Sequence, residues 1–237
     1  IEGFKALFNL AFDSDNQDAI IRATPVFSPP ASTTASYSAT TTTSTDGLSI
    51  IMSAFERHKD NALVQEFGCN LLHNLAFKNT RNKELIAARG CIRAIVETSM
   101  SNHPASAKVH IEACRALMSL SFSRACQDTI LAVGGIEQIF QSMATLREAK
   151  DVQVQAFKVL CALAINHAEN KRRIIQGVGQ IVLSMQRHAG AGDVQGEGCA
   201  VLATLSFRNA AHKKVISDSS GIDVIVAAMQ RHRQIVG

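Results

Sequence analysis

Arg stands beside His in three comparable places in this chain of 237 residues: "ERH" at 56–58, "QRH" at 186–188 and "QRH" at 230–232. A triplicated cation and imidazole invite a phosphate or metal site. The simpler account is that each pair closes a helix, where a cation complements the helix dipole at roughly 0.3–1 kcal/mol. "NKRR" (170–173) and "HKK" (212–214) fall at helix starts instead, the wrong end for the dipole, where they serve a partner or solubility. Six cysteines, at 69, 91, 114, 126, 161 and 199, form no C-x-x-C pair, and no Cys/His spacing suits zinc. They read as reduced, buried small hydrophobes in an intracellular protein. The eight His lie near no recurring carboxylate pair, and neither G-x-S-x-G nor a phosphate loop occurs. No catalytic residue, metal or cofactor is expected.

The remaining chemistry lies in "TPVFSPPASTTASYSATTTTSTDG" (24–47), where thirteen of twenty-four residues are Ser or Thr, too polar to build a core. Thr24-Pro25 and Ser28-Pro29 are candidate proline-directed phosphorylation sites, whose added charge would alter docking. A passive, disordered loop is the plainer alternative.

These residues are set in a repeat. Leu48-Ile51-Met52-Phe55 has the apolar spacing i, i+3, i+4, i+7, which puts four side chains on one helix face. The same spacing returns from Ile92, Ile136, Val178 and Ile222, interrupted only by Ser99. A second signature precedes or follows each copy: "ALFNLAF" (6–12), "LLHNLAF" (71–77), "ALMSLSF" (116–122), "VLCALAI" (159–165) and "VLATLSF" (201–207). Small residues at 3, 68, 113, 156 and 198 stand ahead of it and allow close helix approach. A third, shorter element carries an apolar pair, as at Ile20-Ile21 and Ile130-Leu131, and ends in a turn that is usually glycine-bearing, as in "AVGGIEQ".

Each unit is therefore a short helix, a sharp turn, a medium helix and a long helix. The core leucines, Leu10, Leu75, Leu120, Leu163 and Leu205, are spaced by 65 and then by 42–45 residues. The one long interval places about 22 added residues between Ile20-Ile21 and the helix beginning near Leu48. The stretch at 24–46 is thus expected to be an insertion within the turn between helices 1 and 2 of the first repeat, a cost that loop closure tolerates. Residues 1–237 then make a single domain.

The period, the glycine turn and the "NLA" helix together resemble the armadillo repeat. The resemblance implies an all-α, right-handed superhelical solenoid of about five three-helix repeats, truncated at both ends and continued by further chain or covered by partners. It also implies that extended peptides lie along the groove of long helices, gripped by a column of Asn whose amides donate and accept together. The matching positions are Asn9, Asn74, Ser119, Ala162 and Thr204. For Asn9 and Asn74, a cap or turn bond is the alternative. Lys5, Arg115 and Lys158 would project from the same helices towards an acidic peptide. Glu2 and Glu112, three residues ahead of Lys5 and Arg115, are equally placed to pair with them. Import receptors of this family carry Trp one turn before the Asn column, where this chain has Lys5, Asn70, Arg115, Lys158 and Ala200 and no Trp.

The expected function is a non-catalytic scaffold for a partner protein or extended peptide. The alternatives are a structural subunit of a large assembly and a regulatory repeat module of a larger enzyme. A formal charge of +4 and the lack of aromatic interleaving speak against nucleic acid. No run of eighteen apolar residues would span a membrane. A cytoplasmic, reducing setting follows from the cysteine usage, with nucleus and cilium left open.

Overall fold

The computed structural model describes residues 1–23 and 46–233. Every regular element among them is helical. The long third helices are α1 (Glu2–Leu10), α4 (Ala62–Ala76), α7 (Ala107–Leu120), α10 (Lys150–Ala164) and α13 (Gly192–Ser206). The short first helices are α2 (Ser14–Arg22), α5 (Thr80–Ala88), α8 (Arg124–Ala132), α11 (Ala168–Gln176) and α14 (Ala210–Asp218). The second helices are α3 (Gly47–Arg57), α6 (Cys91–Arg93) continuing as a π-helix over Ala94–Met100, α9 (Gly135–Thr145), α12 (Val178–Arg187) and α15 (Gly221–Arg231). Four complete units are thus flanked by α1 and by α14–α15. Third helices stack in order, α1 on α4, α4 on α7, α7 on α10 and α10 on α13, so the chain is an all-α solenoid.

One apolar core runs through the stack, from Ile20 and Leu48 at one end to Ile216 and Val224 at the other. Leu75, Leu120, Leu163 and Leu205 are fully buried in it. The small residues ahead of them let second and third helices touch: a Cβ on Gly68 would lie 2.7 Å from the Phe55 ring. Between α11 and α12 Gly177 stays at φ −95°, while the other three of the four described turns between first and second helices carry a left-handed residue. Gly134 supplies it at φ 73°, and Ser220 takes the same conformation at φ 60°, which is strained for a residue with a Cβ.

Ser99 does not break the apolar stripe in space. The π-helical turn over Ala94–Met100 absorbs one extra residue, and Ser101 N–H reaches back to Val96 O. Met100, fully buried, therefore fills the place held by Phe55, Met143 and Met185. Ser99 moves into register with Ser142 and Ser184. All three hydroxyls lie against the preceding unit's third helix: Ser99 Oγ is 2.8 Å from Gln65 Oε1, Ser142 Oγ 2.7 Å from His110 Nδ1 and Ser184 Oγ 2.9 Å from Gln153 Oε1.

Gln65, Gln153 and Gln195 also donate to two carbonyls each at the end of their own unit's second helix, Phe55 and His58 in the first case. His110 occupies the matching place and binds the His103 carbonyl at 3.1 Å. Buried polar groups are thereby satisfied both within a unit and, through the serines, across to the next.

The Arg-His pairs stand at the C-termini of α3, α12 and α15. Nε2 of His188 and of His232 donates to the carbonyls of Arg147 and Ala189 in the preceding unit. These imidazoles thus bind one unit to the next.

The Ser/Thr/Pro-rich stretch, with Thr24 and Ser28, lies outside the described residues except for its last members. Asp46 caps α3 through Ser49 N–H and pairs with Arg89 at 2.5 Å.

Candidate functional site

Two surfaces repeat along the solenoid: the outer face of the third helices and the edge formed where each third helix turns into the next first helix.

On the third-helix face the expected polar column faces neighbouring helices. Asn74 is buried and donates Nδ2–H to the Phe8 carbonyl on α1, at 3.4 Å. Ser119 Oγ lies 2.7 Å from His73 Nδ1, which also contacts the Arg115 carbonyl at 3.1 Å. Burial, and then the Arg115 charge, push the His73 pKa below its ordinary value. Thr204 donates to the Ala200 carbonyl and touches Cys161 Sγ at 3.3 Å. Ala162 is buried, and Asn9 is exposed on α1.

The cations of this face have partners. Lys5 pairs with Glu2 at 2.8 Å, and its ammonium stands 5.4 Å from the Phe67 ring centroid. Arg115 reaches both oxygens of Glu112, at 3.1 and 3.2 Å. Burial raises the Glu112 pKa and Arg115 opposes that rise. Lys158 lies 3.9 Å from Glu197 on the next unit's α13.

The turn edge differs. Phe77, Ile165 and Phe207 close their third helices with φ near −60° and ψ near 120°. Lys78, Asn166 and Arg208 follow at φ 52–54°. That pair of conformations is a type II turn. Phe12 and Phe122 follow the C-cap residues Ala11 and Ser121, which keep right-handed helical φ and ψ. All five apolar residues are exposed: Phe12 69%, Phe77 51%, Phe122 70%, Ile165 47% and Phe207 63%. Cations lie against three of the rings: Lys78 Nζ is 5.3 Å from Phe77, Lys83 Nζ 5.7 Å from Phe122 and Arg208 Cζ 5.2 Å from Phe207.

The edge is braced across units. Arg124 donates to the Asn166 carbonyl at 3.1 Å. His167 caps α11 by accepting Asn170 N–H at Nδ1, and its Nε2–H donates to Asp128 at 2.9 Å.

In the sequence these five residues belong to the apolar helical signature of the third helices. Their offset was the signal that would have found them. Phe77, Phe122, Ile165 and Phe207 each stand two residues past a buried core leucine, about 200° round a helix of 3.6 residues per turn, away from the core. Phe12 stands two past Leu10, which, against the expectation, is itself exposed on α1. The buried Gln network was also legible: Gln65, His110, Gln153 and Gln195 each stand ten residues before the core leucine.

Among the described residues, no group of three or more His, Cys, Asp or Glu is placed to hold a metal ion. No described helix is long and apolar enough to cross a membrane. The six thiols are free. Burial pushes Cys69, Cys91 and Cys114 up to about 12, which leaves them without thiolate character at neutral pH.

No curated protein matches this sequence. The chain is similar in fold to a crystal structure of an engineered protein, a Northeast Structural Genomics Consortium target, at 19% identity and a TM-score of 0.76 over 100% of this chain and 83% of that one. The family profile described as LRRK2 ARM repeat matches residues 32–236. With three-helix units, left-handed turns and stacked third helices all in place, the chain belongs to the LRRK2 ARM repeat family.

Proposed function

We propose that this chain is a non-catalytic scaffold that binds a partner protein or an extended peptide on a preformed solenoid surface. One observation carries the reading. Buried side chains bind unit to unit, as Ser99 does to Gln65 and Ser184 to Gln153, so equivalent surface positions are held at a regular spacing. A frame of this kind binds without the ordering cost that a flexible surface incurs. The third-helix face is the first surface to test. Asn9 is exposed on it, Asn74, Ser119 and Thr204 stand between its helices, and an acidic partner would draw Lys5, Arg115 and Lys158 from Glu2, Glu112 and Glu197.

The test places a photoreactive residue at Asn70, half-buried on α4 one turn before Asn74, and another at Leu183, exposed on α12. A discrete protein adduct from position 70, lost when Arg115 and Lys158 are both changed to Glu, supports the reading. Adducts from position 183 alone would remove the third-helix face from it. Turnover of a substrate by the purified chain would overturn the scaffold reading itself.

A further inference from the structure

The turn edge combines three properties that the rest of the surface does not. Its large apolar residues are exposed in every unit, from 47% at Ile165 to 70% at Phe122: Phe12, Phe77, Phe122, Ile165 and Phe207. Large exposed apolar groups recurring in register mark interaction sites, whereas scattered ones do not. Its cations are also unspent. Lys78, Arg81, Arg208 and Lys213 make no ion pair among the described residues, and Lys78 and Arg208 lie against the exposed rings, whereas Lys83, 5.7 Å from the Phe122 ring centroid, is buried. Most of the acids nearby are occupied. Asp13 caps α2, Asp128 binds His167 and Arg124, and Glu169 binds Arg172 and Arg173. Asp15 and Glu84 have no such partner.

The third property is the spacing. Packed helices lie about 8–10 Å apart, so neighbouring ridge residues recur at about that interval. A polyproline II strand advances about 9.3 Å per three-residue turn. Its side chains at i, i+3 and i+6 therefore meet successive units. A β-strand, at about 3.3 Å per residue and alternating faces, offers one face every 6.6 Å and drifts out of register.

We propose that this edge is a docking ridge for an extended acidic segment with an apolar side chain at every third position. The apolar side chains pack on the Phe and Ile residues, and carboxylates between them meet Lys78, Arg81, Arg208 and Lys213. The area fits a short segment. Four Phe side chains of about 150–250 Å² each, half or more exposed, together with Ile165, offer on the order of 500 Å², below the ~800 Å² per partner of a stable globular interface. The proposal rests on the scaffold reading but uses a different face from the one tested above.

The experiment uses the full chain and a fluorescein-labelled peptide of four Glu-Phe-Pro triplets, followed by fluorescence anisotropy. The expected result is saturable binding that weakens ~10-fold or more in the double variant Phe77→Ser, Phe122→Ser. The melting temperature of that variant should stay unchanged, because both side chains are exposed. Lys78→Glu with Arg208→Glu should weaken binding further as salt falls, reversing the wild-type trend. No saturation by about 1 mM peptide overturns the proposal. So does equal binding of a peptide of the same composition with Phe at every second position, or tighter binding of a single-stranded oligonucleotide of equal charge. If Arg115→Glu with Lys158→Glu abolishes binding and the Phe variants do not, the ridge falls and the scaffold reading stands. Dimers in sedimentation that the Phe variants disperse would make a second copy the occupant and overturn it too.

Discussion

On the third-helix face, Lys5, Arg115 and Lys158 each have a carboxylate within 4 Å, and the hydroxyls of Ser119 and Thr204 bind groups of the helical stack. Two residues beyond the same helices, at the turn edge, Lys78 and Arg208 lie against exposed rings without an ion-pair partner. The contrast comes from stacking. A third helix inside the array has a neighbour on each side, so its polar groups find partners across the gap. A turn meets its neighbours only at isolated points, such as Arg124 on Asn166, and the rest of its surface stays uncommitted.

The largest expected effect separates core from edge within one helix end. Leu120→Ala removes a fully buried side chain and should cost about 2–5 kcal/mol. Phe122→Ala, two residues on, should cost less than about 0.5 kcal/mol. Urea unfolding of both variants measures the difference, and comparable losses would show that Phe122 belongs to the core.

Charge reversal on the two surfaces gives the next largest contrast. Arg115→Glu deprives the half-buried Glu112 of its partner and should destabilise by on the order of 1–2 kcal/mol, while Lys78→Glu should leave stability within about 0.5 kcal/mol. Thermal melts at low and moderate salt would expose equal effects, which would erase the contrast.

Acid sensitivity comes next. Burial lowers the His110 pKa from its ordinary 6.5, and the neighbouring His103 charge adds to the effect while the His103 carbonyl opposes it. Below pH 6.5 the unfolded chain takes up this proton before the folded chain does. The associated stability is therefore full above about 6.5 and lost as pH falls through the folded value. His73 has the same sign. His110→Gln restores the residue that Gln65, Gln153 and Gln195 carry in the other units. It should reduce, without abolishing, the fall in melting temperature between pH 7 and pH 5. Each ~1 kcal/mol retained is worth roughly 2–4 °C, and an unchanged pH profile would place the acid sensitivity elsewhere.

The smallest effect concerns the turn between first and second helices. Ser220→Gly should raise stability by up to about 1 kcal/mol by relieving the left-handed strain, and Gly134→Ser should lower it by a similar amount. Calorimetry on the pair would reveal whether the two turns are equivalent, as their φ values of 60° and 73° indicate.

Much of the fold was readable because each unit repeats a local pattern. The i, i+3, i+4, i+7 stripes became α3, α9, α12 and α15, the "NLA" segments became third helices, and Gly90 and Gly134 took left-handed turns. Ser99 shows the limit of such reading. At a fixed helical period it falls in the apolar stripe, and only the π turn, selected by burial of Met100 and the bond to Gln65, returns it to register. The polar column was legible as residue types. Whether Ser119 or Thr204 faced a peptide or its own stack was not, because that depends on His73 and Cys161, more than forty residues away.

By itself, then, the sequence determined the repeat, the helices within it and the positions of the turns, since these follow from side-chain spacing over a few residues. Tertiary structure decided which surface groups are already engaged. A hydrogen bond or ion pair between units depends on the neighbouring helix that stacking brings alongside, and no local pattern encodes that neighbour. Phe77 and Asn74 share one short motif, yet stacking buries Asn74 against α1 and leaves Phe77 at the open edge.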